Sequence, residues 1–318
     1  MKSKVLVLGG NGFVGRELVA QLRQTGWAEV LVASRSNGGV DTRDVAALTR
    51  ALQGIDAVVN CVAGHGAAIA EGAQALCTAA ATQERKPRLI HMSTQSVYGN
   101  ASGGWISESA PLRADIGWYG QAKIDAEAHF QRYAADVAGP TVILRPGCVT
   151  GPGSTLWLTR VAHWLRAGWI GDLGAGGDGW SNLVHVRDVA QCVVAALQMP
   201  LPAGQVPVFN VAAPDSPRWN RYFHDLALQI GATPLRRISA RRMRFTSTVL
   251  GVPLKVTERL GVSKGLPPGI PPSLLRLWQQ DIRLDATRAE QAFGLHWTAY
   301  ETLASECASW LRNDQCKG

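Results

Sequence analysis

The chain has 318 residues, is 46% hydrophobic and 18% charged, and carries 34 glycines, the composition expected of a soluble α/β protein with one large domain or two joined ones. No stretch reaches the ~18 consecutive apolar residues of a membrane span. The first strand is expected by residue 4, which leaves no room for a signal peptide. Six scattered cysteines (Cys61, Cys77, Cys148, Cys192, Cys307 and Cys316) form no C-x-x-C pair, so a cytoplasmic protein without structural metal is expected. The net charge of +8 suits attraction of an anionic small molecule; no patterned basic fold of a nucleic-acid binder is visible.

In chain order, Lys4–Leu8 reads as a buried strand, and Gly9-Gly10-Asn11-Gly12-Phe13-Val14-Gly15 follows at once. A helix then runs from about 13 to 24 with Val14, Leu18, Val19 and Leu22 inward. Strand, glycine-rich turn and helix form the setting of a dinucleotide fingerprint, here spaced G-x-x-G-x-x-G. Gly9 is expected to make the tight turn, Gly12 to admit a pyrophosphate against the backbone, and Gly15 to let the helix pack on the strand. Asn11, Phe13 and Val14 join them as expected cofactor contacts, since a helix N-terminus offers N–H donors and partial positive charge. The second strand, Val30–Ala33, ends in Ser34-Arg35. A carboxylate there would bond both ribose hydroxyls of NAD; a hydroxyl followed by a guanidinium instead suits the 2′-phosphate of NADP(H). NADP is therefore expected over NAD.

Further strands are expected near 57–61, 88–93 and 141–145, and helices near 43–52, 67–83 and 118–138, which makes a doubly wound α/β sheet. Thr94 falls just past the carboxyl end of the fourth strand, where open sheets of this kind bind ligands. Tyr119 follows 25 residues later and opens Tyr119-Gly120-Gln121-Ala122-Lys123. A spacing of four places Tyr119 and Lys123 on one helix face. A free phenol titrates near ~10. An ammonium about 4 Å away supplies roughly 4 kcal/mol at an effective dielectric of about 20, or about three pKa units. With the Thr94 hydroxyl holding a substrate oxygen, the three groups can move a proton on and off an alcohol or carbonyl.

These motifs together resemble the extended short-chain dehydrogenase/reductase family, which includes nucleotide-sugar epimerases and dehydratases. The resemblance runs through most of the chain. Besides the glycine turn and Y-x-x-x-K it includes Asp41-Thr42, Asn60-Cys61-Val62-Ala63-Gly64, Ser93-Thr94, Leu144-Arg145-Pro146-Gly147 and His185-Val186-Arg187-Asp188. It implies that Thr94 is the catalytic hydroxyl, Tyr119 the acid/base, and Lys123 the residue that binds the nicotinamide ribose and lowers the phenol. It also implies cofactor contacts from Asp41, Thr42, Val62, Ala63, Gly64, Pro146 and Gly147. Where sugar-nucleotide enzymes usually carry an Asn after the Arg of the fifth strand, this chain has Pro146-Gly147-Cys148. That is closer to the ketoreductase and 3β-hydroxysteroid-dehydrogenase-like branch.

The expected organisation is a Rossmann-type NADP domain, 1–150 plus about 181–212, and a smaller C-terminal substrate-binding subdomain, 151–180 plus about 213–318. Val184–Asp188 and Val208–Val211 are expected to return to the sheet. Asp188 is expected to cap a helix over 189–198, and His185, His65, His91 and Tyr98 to be structural. Trp157, Trp164, Trp169 and Trp180, with Trp118 beside Tyr119, suggest an aromatic-lined pocket. Arg236, Arg237, Arg241, Arg242 and Arg244 read as a solvated face, an anchor for an anionic substrate tail, or a membrane-facing helix. Gly265–Pro272 is too proline-rich for a helix and reads as a lid or connector. The family often pairs through the helix carrying Y-x-x-x-K and its predecessor, which implies a homodimer. The leading function is an NADP(H)-dependent interconversion of a secondary alcohol and a ketone on an apolar or aromatic-bearing molecule. The alternative is a nucleotide-sugar epimerase or dehydratase that retains its cofactor. A non-catalytic NADP sensor on the same fold would be expected to lose Tyr119 or Lys123.

Overall fold

In a computed structural model the described residues are 2–33, 40–64, 66–101, 103–113, 115, 117–247 and 269–315. Ser34, Arg35, His65, Cys316 and the expected lid up to Pro268 lie outside them. Six strands make the main sheet: β1 (Ser3–Leu8), β2 (Ala28–Ala33), β3 (Ala57–Asn60), β4 (Arg88–Met92), β6 (Thr141–Pro146) and β9 (Val208–Val211). All pairings are parallel, in the order β2-β1-β3-β4-β6-β9. This is a Rossmann-like α/β fold. Parallel strands are covered on both faces, which is why β3 and β6 read as unbroken buried runs. The chain departs in opposite directions from β1, so β1 and β3 flank a switch point where a crevice opens beyond the strand ends.

One face of the sheet is covered by α1 (Phe13–Thr25) and α6 (Val186–Gln198), which contribute Leu18, Leu22, Val189 and Val193 to the core. The other face carries α2 (Val45–Ala51), α3 (Ala68–Thr82) and α4 (Trp118–Val137), with Leu48, Leu76, Ala126 and Phe130 inward. Two local signals fix the ends of these helices. Asp44 caps α2 by accepting from the Ala46 and Ala47 amides, and Gly26 ends α1 in the left-handed conformation at φ 75°.

Two expectations change here. Leu183–His185 (β8) does not rejoin the main sheet but pairs with β7 (Cys148–Thr150) in a separate two-stranded sheet. α6 starts three residues before the expected helix, because the His185 imidazole caps it by accepting from the Arg187 amide at 3.0 Å. Asp188 therefore lies inside the first turn, buried, and its carboxylate instead accepts from the Thr298 amide and hydroxyl, both at 2.8 Å. It ties the C-terminal part of the chain to the sheet domain.

The second core gathers α5 (Arg160–Arg166), α7 (Trp219–Gln229), and the helices Pro272–Gln279 and Tyr300–Gln315 around Trp164, Trp219 and Trp278, none of them solvent-exposed. Each indole buries about 150–250 Å² at roughly 25 cal/mol per Å², so the tryptophan content is mostly a packing device. Of the tryptophans expected around a pocket, Trp164 is core, Trp169 packs against that core, and Trp180 stacks under the guanidiniums of Arg218 and Arg283. Strand β5 (Gly104–Ile106) pairs with β10 (Ile282–Leu284) and joins the two parts of the chain.

Candidate active site

The glycine turn has the geometry its spacing implied. Gly9 has a φ of 78°, and a Cβ there would stand 2.9 Å from the Cys61 carbonyl oxygen. A Cβ on Gly15 would stand 2.3 Å from the Gly9 carbonyl oxygen. Only hydrogen at these positions lets α1 rise directly from β1. The first turn of α1 has no side-chain cap and no acidic residue, so its N–H groups and partial charge are left for an anionic group. A dinucleotide pyrophosphate fits this cradle.

Tyr119 and Lys123 lie one turn apart on α4, and Thr94 follows β4. Gly120, between the two catalytic candidates, explains how the elements meet: a Cβ there would stand 2.7 Å from the Ser96 carbonyl oxygen. The turn bearing Thr94 is therefore pressed against the start of α4. Thr94, Tyr119 and Lys123 line one cavity of about 440 Å³, together with Val14, Val62, Ala63, Pro146 and Gly147. Five of the expected cofactor residues, Val14, Val62, Ala63, Pro146 and Gly147, thus share a space with the three expected catalytic groups. The other wall is mostly apolar: Val149, Leu156 and Trp157 on one side, Leu274 and Leu277 with Ser273 of the helix Pro272–Gln279 on the other, and Trp118 at 53% exposure.

Gly9, Asn11, Gly12, Phe13, Gly15, Asp41, Thr42 and Gly64 are not among the lining residues. Asp41 pairs with Arg43 at 3.2 Å on the surface, and Thr42 faces Gly72 of α3. None of Arg236, Arg237, Arg241, Arg242 and Arg244 lines the cavity. Arg241, Arg242 and Arg244 lie on α8 (Ala240–Phe245), and Arg237 pairs with Asp172 at 3.5 Å.

Lys123 is buried and donates to the Met92 carbonyl at 2.7 Å. Burial pulls its ammonium down to about 8 from 10.5, opposed by Cys61 and Glu127. Burial pushes the Tyr119 phenol above its ordinary value. That is the reverse of the lowering expected from Lys123, and the physical reason is that loss of solvent dominates while the ammonium is engaged at β4. The Thr94 hydroxyl accepts from the Ser96 amide at 3.2 Å and lies 3.3 Å from the Ser96 hydroxyl. Cys61 lines the same cavity, its thiol pushed up by burial to about 12.

Behind these groups stands a buried polar cluster that motif spacing did not reveal. Arg145 donates to both oxygens of Glu127, at 3.0 and 2.7 Å. Glu127 also accepts from the Ser93 hydroxyl at 2.5 Å, and Arg145 bonds the Tyr98 hydroxyl and the Glu108 carbonyl, each at 3.0 Å. Glu127 lies one turn past Lys123, so the cluster pins α4 to β4 and β6 and sets the face that Tyr119 and Lys123 present. The structural expectation for Tyr98 agrees with its place here.

Glycine cradle, parallel sheet and Thr-Tyr-Lys cavity define a dinucleotide-binding protein of the extended short-chain dehydrogenase/reductase type. The model of the NAD dependent epimerase/dehydratase family matches residues 5–212, and the chain belongs to that family. Among curated proteins it is similar to a dTDP-6-deoxy-L-talose 4-dehydrogenase (NAD(P)(+)) of Kitasatospora kifunensis. The two are 33% identical over 179 residues, 48% of this chain and 54% of that protein, so the match spans about half of the relative's length. A Synechocystis protein named "Putative dihydroflavonol 4-reductase" is 24% identical and matches over 96% of this chain and 94% of its own. Among solved structures, MoeE5 in complex with UDP-glucose and NAD superposes with a TM-score of 0.74 at 21% identity, covering 98% of this chain and all of that one. That likeness is one of fold.

Proposed function

We propose that this chain is an NADP(H)-dependent oxidoreductase that interconverts a secondary alcohol and a ketone on an apolar or aromatic-bearing small molecule. The observation that carries this is the single cavity in which Val14, Val62 and Ala63 meet Thr94, Tyr119 and Lys123 under an apolar wall of Leu156, Trp157, Leu274 and Leu277. A nicotinamide cofactor, when bound, supplies or accepts the hydride. The chain's own residues handle the oxygen. Thr94 turns its hydroxyl from Ser96 to the substrate carbonyl and holds it beside the phenol. Tyr119, kept protonated by burial, gives its proton to that oxygen as negative charge develops there, and takes it back in the oxidising direction. Lys123, anchored at Met92, keeps N–H groups for the ribose and for the phenolate left behind. Leu274, Leu277 and Trp157 exclude water from the reacting carbon.

A nucleotide-sugar epimerase or dehydratase is the second reading. It is favoured by the named sugar-nucleotide dehydrogenase among the relatives, and it uses the same three side chains. The cavity wall argues for the first, because each sugar hydroxyl buried there without a partner would cost about 1–3 kcal/mol. In this proposal the protein works in the cytoplasm as a homodimer, with Gly9, Asn11, Gly12, Phe13, Gly15, Ser34, Arg35, Asp41, Thr42, Gly64, Pro146 and Gly147 as the remaining cofactor contacts. The test follows NADPH absorbance with a panel of aryl and alkyl ketones and, separately, with UDP- and dTDP-sugars. Consumption with the ketones is expected. Micromolar binding of a sugar nucleotide with no ketone turnover would instead establish the second reading.

A further inference from the structure

Gln95 is 3% exposed and lines the cavity beside Thr94. Its orientation is dictated from outside the site. The Leu284 backbone amide donates to the Asn182 side-chain oxygen at 3.0 Å, and an amide N–H can only donate, so that oxygen is identified. The other end of Asn182 is therefore its NH2, which donates to the Ile282 carbonyl at 3.0 Å and to Gln95 Oε1 at 2.8 Å. The carbonyl end of Gln95 is thereby identified, and its NH2 must lie at the opposite end, 3.3 Å from the Cys148 thiol. Sulfur is a weak acceptor, and an NH2 carries two N–H bonds. Cys148 lines the same cavity. The backbone supports the arrangement: Asn182 adopts a left-handed φ of 45°, and its carbonyl approaches Gly147 so closely that a Cβ there would stand 2.1 Å away. Strand β10, Asn182 and Gln95 form a relay that fixes one strong donor in a mostly apolar wall.

We propose that Gln95 is a specificity-determining residue, whose amide N–H binds a second oxygen of the substrate close to the reacting carbon, displacing the weak contact to Cys148. This rests on the ketone/alcohol reading of the site. It narrows the substrate class to ketones and alcohols that bear a further acceptor oxygen, such as an ether, hydroxyl or carbonyl, next to the reacting centre.

The test uses 2-methoxyacetophenone and butyrophenone, which differ only in an oxygen replacing a methylene. Binding to the full chain with NADP+ present is followed by tryptophan fluorescence, since Trp118 and Trp157 line the cavity. The wild type should bind the methoxy ketone about tenfold more tightly, the loss expected when a buried donor faces a methylene. Gln95→Glu keeps the acceptor for Asn182 but removes the donor at neutral pH; Gln95→Leu removes both. In both variants the ratio should fall to about one or below; it compares two ligands on the same variant, so a loss of thermal stability common to both leaves it unaffected. A wild-type ratio of one, or a ratio that survives both substitutions, would overturn the proposal. Because binding is read without turnover, this outcome is separate from failure of the ketone reading, which shows as an absence of Tyr119-dependent NADPH consumption.

Discussion

Tyr119 and Lys123 show how burial and function pull against each other at single residues. Burial pushes the phenol up and lowers the ammonium to about 8. Tyr119→Phe keeps the ring packed against Trp118, 5.8 Å between centroids, and removes only the proton. Turnover should fall by at least about a hundredfold, the low end of acid–base effects, with cofactor affinity by calorimetry unchanged. Near-normal turnover would remove Tyr119 from the mechanism. For Lys123 the sign follows from linkage. Unfolded, the ammonium titrates near 10.5; folded, near 8. Between those values the unfolded chain binds more protons, so this group's contribution to stability rises with pH, and its full penalty is present below 8. Melting curves of the cofactor-free protein between pH 7 and 10 should show the wild type gaining on Lys123→Met above about pH 8. Parallel profiles would show that the buried amine does not titrate in this window.

At the scale of elements, the pieces that spacing makes visible are those whose geometry is local. The glycine turn, β1, α1 and the Tyr/Lys face were legible because positive φ, close helix approach and the four-residue repeat each demand a residue type at a fixed offset. The Glu127–Arg145 pair was not, because its partners lie 18 residues apart and meet only when α4 docks on β6. Gly120 carried a readable hint, a glycine inside a helix pattern, which marks close backbone approach. Asp188 misled because an acidic residue near a helix start resembles a cap, whereas His185 takes that role. The buried pair predicts a distinctive stability pattern. Arg145→Met takes away the guanidinium that holds both oxygens of the buried Glu127 carboxyl and should cost about 3–5 kcal/mol in urea unfolding. The double variant Arg145→Met/Glu127→Leu should recover part of that loss, since no uncompensated charge remains. Strict additivity of the two losses would mean that the pair does not act as a unit.

For the whole molecule, the sheet domain followed from the alternation of strands and helices, while the C-terminal part did not. Its tryptophans looked like pocket residues in the sequence, and the fold turns most of them inward as the second core, leaving Trp157 and Trp118 at the cavity. Burial of this kind depends on which helices pack together, and no spacing rule encodes that. The cavity lies where the two cores meet, walled by residues of α1, β4, α4, β6, the segment after β3 and the helix Pro272–Gln279, so a bound dinucleotide is expected to stabilise the native chain as a unit. Linkage sets the size: at a concentration of 100 Kd, NADPH should add about 2.7 kcal/mol, seen as a Tm rise of a few degrees. Arg35, two residues after β2 in the sequence, is expected to add a charge-assisted contact to the 2′-phosphate worth about 1.5–3 kcal/mol, or roughly ten- to a hundredfold in affinity. NADH at the same concentration should then add only about 0.4–1.4 kcal/mol. Arg35→Ala should bring the NADPH shift down to the NADH level and leave the NADH shift in place. Equal wild-type shifts with the two cofactors would discard the preference for NADP, and with it the role of Arg35, while leaving the Thr94, Tyr119 and Lys123 assignments to their own tests.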